Sequence, residues 1–143
     1  MKQFLLAVLI LGCSFKVFAD DPNEKVLNAF NKTFPNVENV IWSENVHTYE
    51  VNFKQNKTIS RVTYDKDGNI VRTLRYYYED QLPIMVLSKV KQRFSNKNIF
   101  GVTEESSEAG TFYHIILEDQ KNWVDITSDP SGSITVDKKY RKA

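Results

Sequence analysis

Between Asn23 and Phe34 the apolar residues Val26, Leu27, Phe30 and Phe34 recur at intervals of three and four, which gathers them on one stripe of a helix. Pro35-Asn36 ends that helix, since proline offers no amide to the hydrogen-bond ladder. The arrangement returns from Leu82 to Phe94. Pro83 stands at a helix start, Met85-Val86-Leu87, Val90 and Phe94 supply the stripe, and Ser95-Asn96 closes it. After each helix the period changes to two. Tyr49, Val51 and Phe53 alternate with Glu50, Asn52 and Lys54, and Tyr113, Ile115 and Leu117 alternate with His114, Ile116 and Glu118. That spacing predicts strands with one buried face.

The repetition continues downstream at an offset of 64, laying Arg61–Ile70 over Asp125–Ile134. Both stretches hold Asp-x-x-Gly between strand-like runs (Asp65 to Gly68, Asp129 to Gly132). This is a hairpin-turn pattern, because Asp caps the turn and Gly accepts positive φ. The helices correspond at an offset of 60, so the first helix-to-strand connection is four residues shorter. The chain therefore reads as two helix–strand–strand–strand units, about 22–78 and 82–141, with room for a further short strand at Val40–Ser43 and Phe100–Thr103. Each helix can cover its own sheet, and the two sheets can join edge to edge into one antiparallel sheet with both helices on one face. The class is α+β.

The first nineteen residues do not fit this scheme. Met1-Lys2-Gln3 precedes the apolar run Phe4–Leu11, which is too short to span a bilayer, where about 20 apolar residues are needed. Val17-Phe18-Ala19 then offers a cleavage pattern ahead of Asp20-Asp21-Pro22. The pattern predicts a signal peptide removed after Ala19, and hence a periplasmic or secreted product. Length argues against an N-terminal anchor helix. The alternative of lipidation at Cys13 fits less well, because Leu11 is bulky for a lipoprotein cleavage box. Loss of Lys2 and Lys16 moves the net charge from +1 to −1, and the remaining chain has no cysteine. That balance speaks against a nucleic-acid partner, and stability must come from the core alone.

Val-Leu-x-x-Phe-x-x-x-Phe-Pro (Val26 to Pro35), Val40-x-Trp42, Tyr49-x-Val51-x-Phe53 and Tyr64-Asp65-x-Asp67-Gly68-Asn69 together resemble the PepSY-like, β-lactamase-inhibitor-like family of small exported bacterial proteins. The resemblance covers nearly all of the chain after the leader. It implies a fold like that of the β-lactamase inhibitory protein (BLIP), with an outward concave sheet; it does not imply inhibition of a β-lactamase.

Catalytic patterns are missing. His47 and His114 belong to no metal-binding motif, and no Gly-x-Ser-x-Gly or glycine-rich phosphate loop occurs, so neither an enzyme nor a cofactor is expected. Asp65–Ile70 resembles the middle of an EF-hand loop. Setting Gly68 at the sixth position, however, puts Thr63 at the first and Leu74 at the twelfth, where a bidentate Glu is required. A hairpin turn explains the segment without calcium.

What remains is a surface. If Val62, Tyr64, Val124 and Ile126 are core, parity turns Ile59, Arg61, Thr63, Trp123, Asp125 and Thr127 outward. In the following strand Ile70, Leu74, Tyr76 and Tyr78 share one parity, and Arg75 and Tyr77 share the other. The expected partner-binding set is thus Trp123, Tyr77, Arg61, Arg75 and His114, rich in the residue types that dominate interface energies. The same residues also suit ordinary cross-strand packing, and Trp42 is expected in the core. Two functions follow: a non-catalytic envelope protein binding a protein or peptide on the sheet face, or a small-molecule or metal-binding sensor using Asp65/Asp67 and Glu104/Glu105. The charged run Asp137–Lys142 suits either a protected edge strand or a frayed tail.

Overall fold

The computed structural model describes residues 21–143, so the expected leader, Cys13 and the cleavage after Ala19 lie outside the described residues. Asn23 starts helix α1 (Glu24–Thr33): its side chain accepts the Val26 amide at 3.0 Å and its Nδ2 donates to the Lys66 carbonyl at 2.9 Å. Val26 and Phe30 are its buried residues. Asn36, at φ 59, turns the chain into β1 (Glu38–Glu44), followed by β2 (Thr48–Gln55), β3 (Thr58–Asp65) and β4 (Ile70–Tyr77). A single 3-10 turn, Glu79–Gln81, leads to α2 (Ile84–Arg93), and then the four strands recur as β5 (Asn98–Ser107), β6 (Gly110–Glu118), β7 (Asn122–Ser128) and β8 (Ile134–Arg141).

All eight strands form one antiparallel sheet in chain order, and β4 pairs directly with β5. The helix-plus-sheet halves are therefore joined edge to edge, and the short strands expected at Val40 and Phe100 are full members of the sheet. The core lies between the sheet and the helices in two clusters. The first gathers Val26 and Phe30 with Tyr49, Val51, Phe53, Val62 and Tyr64, and Trp42 packs against it. The second gathers Val86 and Val90 with Tyr77, Val102, Tyr113, Ile115, Leu117, Val124 and Ile126.

The Asp-x-x-Gly turns pack against the helices. Asp65 accepts the amides of Asp67 and Asn69, both at 2.9 Å, and Asp129 accepts those of Ser131 and Ser133 at 2.8 and 3.0 Å. Hydrogen bonds from Asn69 hold the Asp65 carboxyl below the usual range, and those from Ser131 and Ser133 do the same for Asp129. Gly68 has φ +92, and a Cβ there would come within 3.1 Å of the Lys25 carbonyl; at Gly132, φ +83, it would meet Lys89 Cγ at 2.7 Å. Both turns need glycine for conformation and for close approach to a helix.

Register corrects one expectation. Tyr64 pairs with Ile70, but Thr63 pairs with Arg72, so Val71 is an extra residue, a β-bulge. A bulge reverses the faces of everything beyond it. Ile70 shares the helix side with Tyr64, whereas Leu74 and Tyr76 lie opposite Arg61 and Ile59 on the open side. Arg75 and Tyr77, expected outward, stand opposite Ser60 and Val102 on the helix side, and Tyr77 is only 4% exposed.

Candidate functional site

One face of the sheet is packed under the helices; no element of the described residues covers the other. Cross-strand register lays out its rows. Arg61, Leu74, Glu105 and Phe112 form one row across β3 to β6, and Ile59, Tyr76, Thr103, His114 and Thr127 form the next across β3 to β7. Leu74 is buried yet belongs to neither helix-side cluster, which marks the middle of the open face as hollow.

Polar side chains link up across this face. Arg72 Nε donates to Glu105 at 2.8 Å, and Glu105 lies 3.3 Å from His114 Nε2. His114 Nδ1 is 3.1 Å from the Thr127 hydroxyl, which in turn donates to Asp137 at 2.6 Å. The Arg72 guanidinium, and after it His114, keep the Glu105 carboxyl below its ordinary range despite partial burial. On β3, Arg61 Nε donates to Asn52 at 3.0 Å and sits 3.5 Å from Glu50. These groups orient one another, and the Thr127 hydroxyl, the one alcohol in this network, directs its proton to Asp137 rather than to His114.

Beside this network lies an aromatic patch. A register shift between Ile99 and Gly101 leaves Phe100 unpaired and 53% exposed, and its ring meets Trp123 edge-on at 4.9 Å. Tyr140 lies opposite Trp123 on β8, and Lys142 Nζ sits 4.4 Å above the indole. A groove of about 320 Å³, bordered by Ile59, Tyr76, Phe100, Thr103 and Ile116, runs from this patch across the junction of the two halves.

Of the expected binding residues, Arg61, His114 and Trp123 are on the open face. Arg61 and Trp123 are four strands apart, roughly 19 Å at ordinary strand spacing, so they do not form one contact point. Arg75 and Tyr77 sit together on the other side, where Arg75 Nη1 holds both oxygens of Glu104 (3.2 and 3.3 Å) and the Tyr77 hydroxyl donates to Glu104 at 2.6 Å. Burial first, then this bond to Glu104, raises the Tyr77 phenol well above its ordinary value. Sequence reasoning missed Tyr76 because the Val71 bulge is invisible in one strand's pattern. It missed Phe100 because its exposure depends on a second bulge, for which the neighbouring Gly101 was the one available sign.

The carboxylate pairs are likewise divided. Glu104 and Glu105 point to opposite faces, while Asp65 caps its own turn and Asp67 pairs with Lys25 at 2.9 Å. Among the described residues no three metal-ligating side chains converge, and no helix is long and apolar enough to cross a membrane.

Neither a family model nor a curated protein matches the sequence. Solved structures do. A BLIP-like protein of Bacteroides fragilis shares 20% identity, with 85% of this chain covering 86% of that one at a TM-score of 0.64. A DUF2874 family protein of Bacteroides ovatus gives 22% identity, coverage of 85% and 89%, and a TM-score of 0.64. The fold is BLIP-like. A protein of Bacteroides eggerthii described provisionally as periplasmic is similar as well, at 20% identity, coverage of 85% and 89%, and a TM-score of 0.63. At these identities the likeness is one of architecture.

Proposed function

We propose that this chain is an exported, non-catalytic binding protein of the PepSY-like, β-lactamase-inhibitor-like type, which holds a protein or peptide against the open face of its sheet. The observation that carries the reading is the uncovered aromatic patch of Phe100, Trp123, Tyr76 and Tyr140 beside an ordered row of charges. Exposed apolar area rimmed by polar groups is the usual mark of an interaction surface, and aromatic residues supply most of the energy there. Export is supported by the leader pattern of residues 1–19 and by the similar protein described provisionally as periplasmic. Arg61 and His114 would contribute at the charged side of the contact; Arg75 and Tyr77 have no part in it.

The test is retention of envelope proteins from the source organism on residues 20–143, beside the Phe100→Ala/Trp123→Ala double variant. A partner retained by the wild type and lost by the variant, with circular dichroism unchanged, supports the surface. Equal retention by both baits, or by neither, removes it.

A further inference from the structure

The two halves leave a gap on the helix side. It lies over β3 and β4, between the end of α1 and the 3-10 turn, and encloses about 480 Å³, within the size range of small-molecule sites. The buried Val62 and Ser60 line it together with Thr73 and Arg75, whose side chain is 44% exposed; the exposed Lys57 and Asp80 border it as well.

Several polar groups here are unspent. Ser60, only 7% exposed, lies opposite Arg75 on the helix side of the sheet. Arg75 uses only Nη1 to hold Glu104, and Nε and Nη2 make no hydrogen bond among the described residues. Neither Lys57 nor Asp80 forms an ion pair among the described residues, so one uncommitted charge of each sign faces the opening. Phe34 and Val62 add apolar lining.

We propose that this cleft binds a free α-amino acid or a closely similar zwitterion. The carboxylate would lie against the remaining guanidinium edge of Arg75 and the Ser60 hydroxyl, where planar donors match an oxyanion. The ammonium would lie toward Asp80, and the side chain against Phe34 and Val62. A simple anion would leave Asp80 as a repulsive neighbour, and a simple amine would leave Arg75 and Lys57 so. Only a ligand with both charges answers both signs. The site is on the opposite side of the sheet from the aromatic patch and stands or falls separately from the partner-binding reading.

The test is calorimetric titration of residues 20–143 with each of the twenty protein amino acids, and with acetate and methylamine as single-charge controls. At least one amino acid should bind while both controls do not, with amide shifts at Ser60 and Thr73 in the NMR spectrum. Asp80→Asn, an exposed change that leaves the fold intact, and Arg75→Gln should each weaken binding about tenfold or more. Binding of acetate that is unaffected by Asp80→Asn would reduce the cleft to an anion site and overturn the proposal. So would the absence of binding by all twenty at millimolar concentration.

Discussion

Phe30 and Val90 hold the same place in the two halves, and so do Trp42 and Val102, Phe53 and Leu117, Tyr64 and Ser128, yet the two cores they build are different materials. In the first half Phe30 meets Trp42 and Phe53 edge-on at 5.1 and 5.4 Å, and Phe34 lies 4.8 Å from Phe53. In the second, Val90, Val102 and Leu117 stand where Phe30, Trp42 and Phe53 stand in the first, Phe94 keeps the place of Phe34, and Tyr77 reaches in from β4 to complete the cluster. That loan is open only to an interior strand. Tyr77 can serve the second half because β4 neighbours β5, whereas Arg141, its counterpart on β8, stands at a free edge. The two halves share most of their apolar positions and both glycine turns, while the shapes that fill each core differ and the place of Tyr64 is taken by the buried Ser128.

The largest expected asymmetry is in the core. Phe30→Ala removes the hub of the aromatic cluster and should cost about 3–5 kcal/mol, whereas Val90→Ala should cost about 2 kcal/mol. Urea unfolding of both variants checks this; equal losses would mean that the aromatic hub contributes no more than its aliphatic counterpart. The turns should behave alike. Gly68→Ala and Gly132→Ala each force a side chain into left-handed backbone against a helix, and each should cost about 1–3 kcal/mol. The space is tighter at Gly132, where a Cβ would meet Lys89 Cγ at 2.7 Å and the Met85 carbonyl at 3.3 Å, against 3.1 Å to the Lys25 carbonyl at Gly68. Gly132→Ala should therefore be the worse of the two by thermal unfolding.

The smallest effect separates Tyr64 from Ser128. The Tyr64 hydroxyl is buried without a partner among the described residues, while that of Ser128 donates to the Asp129 carbonyl at 3.0 Å. Tyr64→Phe should therefore stabilise by about 1 kcal/mol, and Ser128→Ala should not. The same phenol gives a pH signature. Burial pushes Tyr64 up to about 12, so the neutral form is favoured in the folded state. Its contribution is fully present below its unfolded value of about 10 and is lost as pH rises through the folded value. Tyr64→Phe should flatten the loss of stability over that alkaline window, as measured by unfolding at stepped pH.

Much of this molecule is local and was legible as such. Three-and-four spacing around Val26 and Phe30 makes a helix wherever the chain goes, and alternation at Tyr49, Val51 and Phe53 makes a strand with one wet face. Asp-x-x-Gly makes a turn at Asp65 and again at Asp129 through hydrogen bonds spanning four residues. These features, their repetition and the α+β class were set by the sequence alone. Which face Arg75, Tyr76 and Tyr77 present was not. A bulge is an excess of one residue relative to a partner strand, so Val71 and Phe100 became extra only once β3 and β6 had paired beside them. The same holds for the helix-side cleft, whose walls come from the end of α1, from β3 and β4, and from the turn before α2. Its existence depends on how far apart the two helices settle on a shared sheet, a distance set by the packing of both cores together and by no single segment.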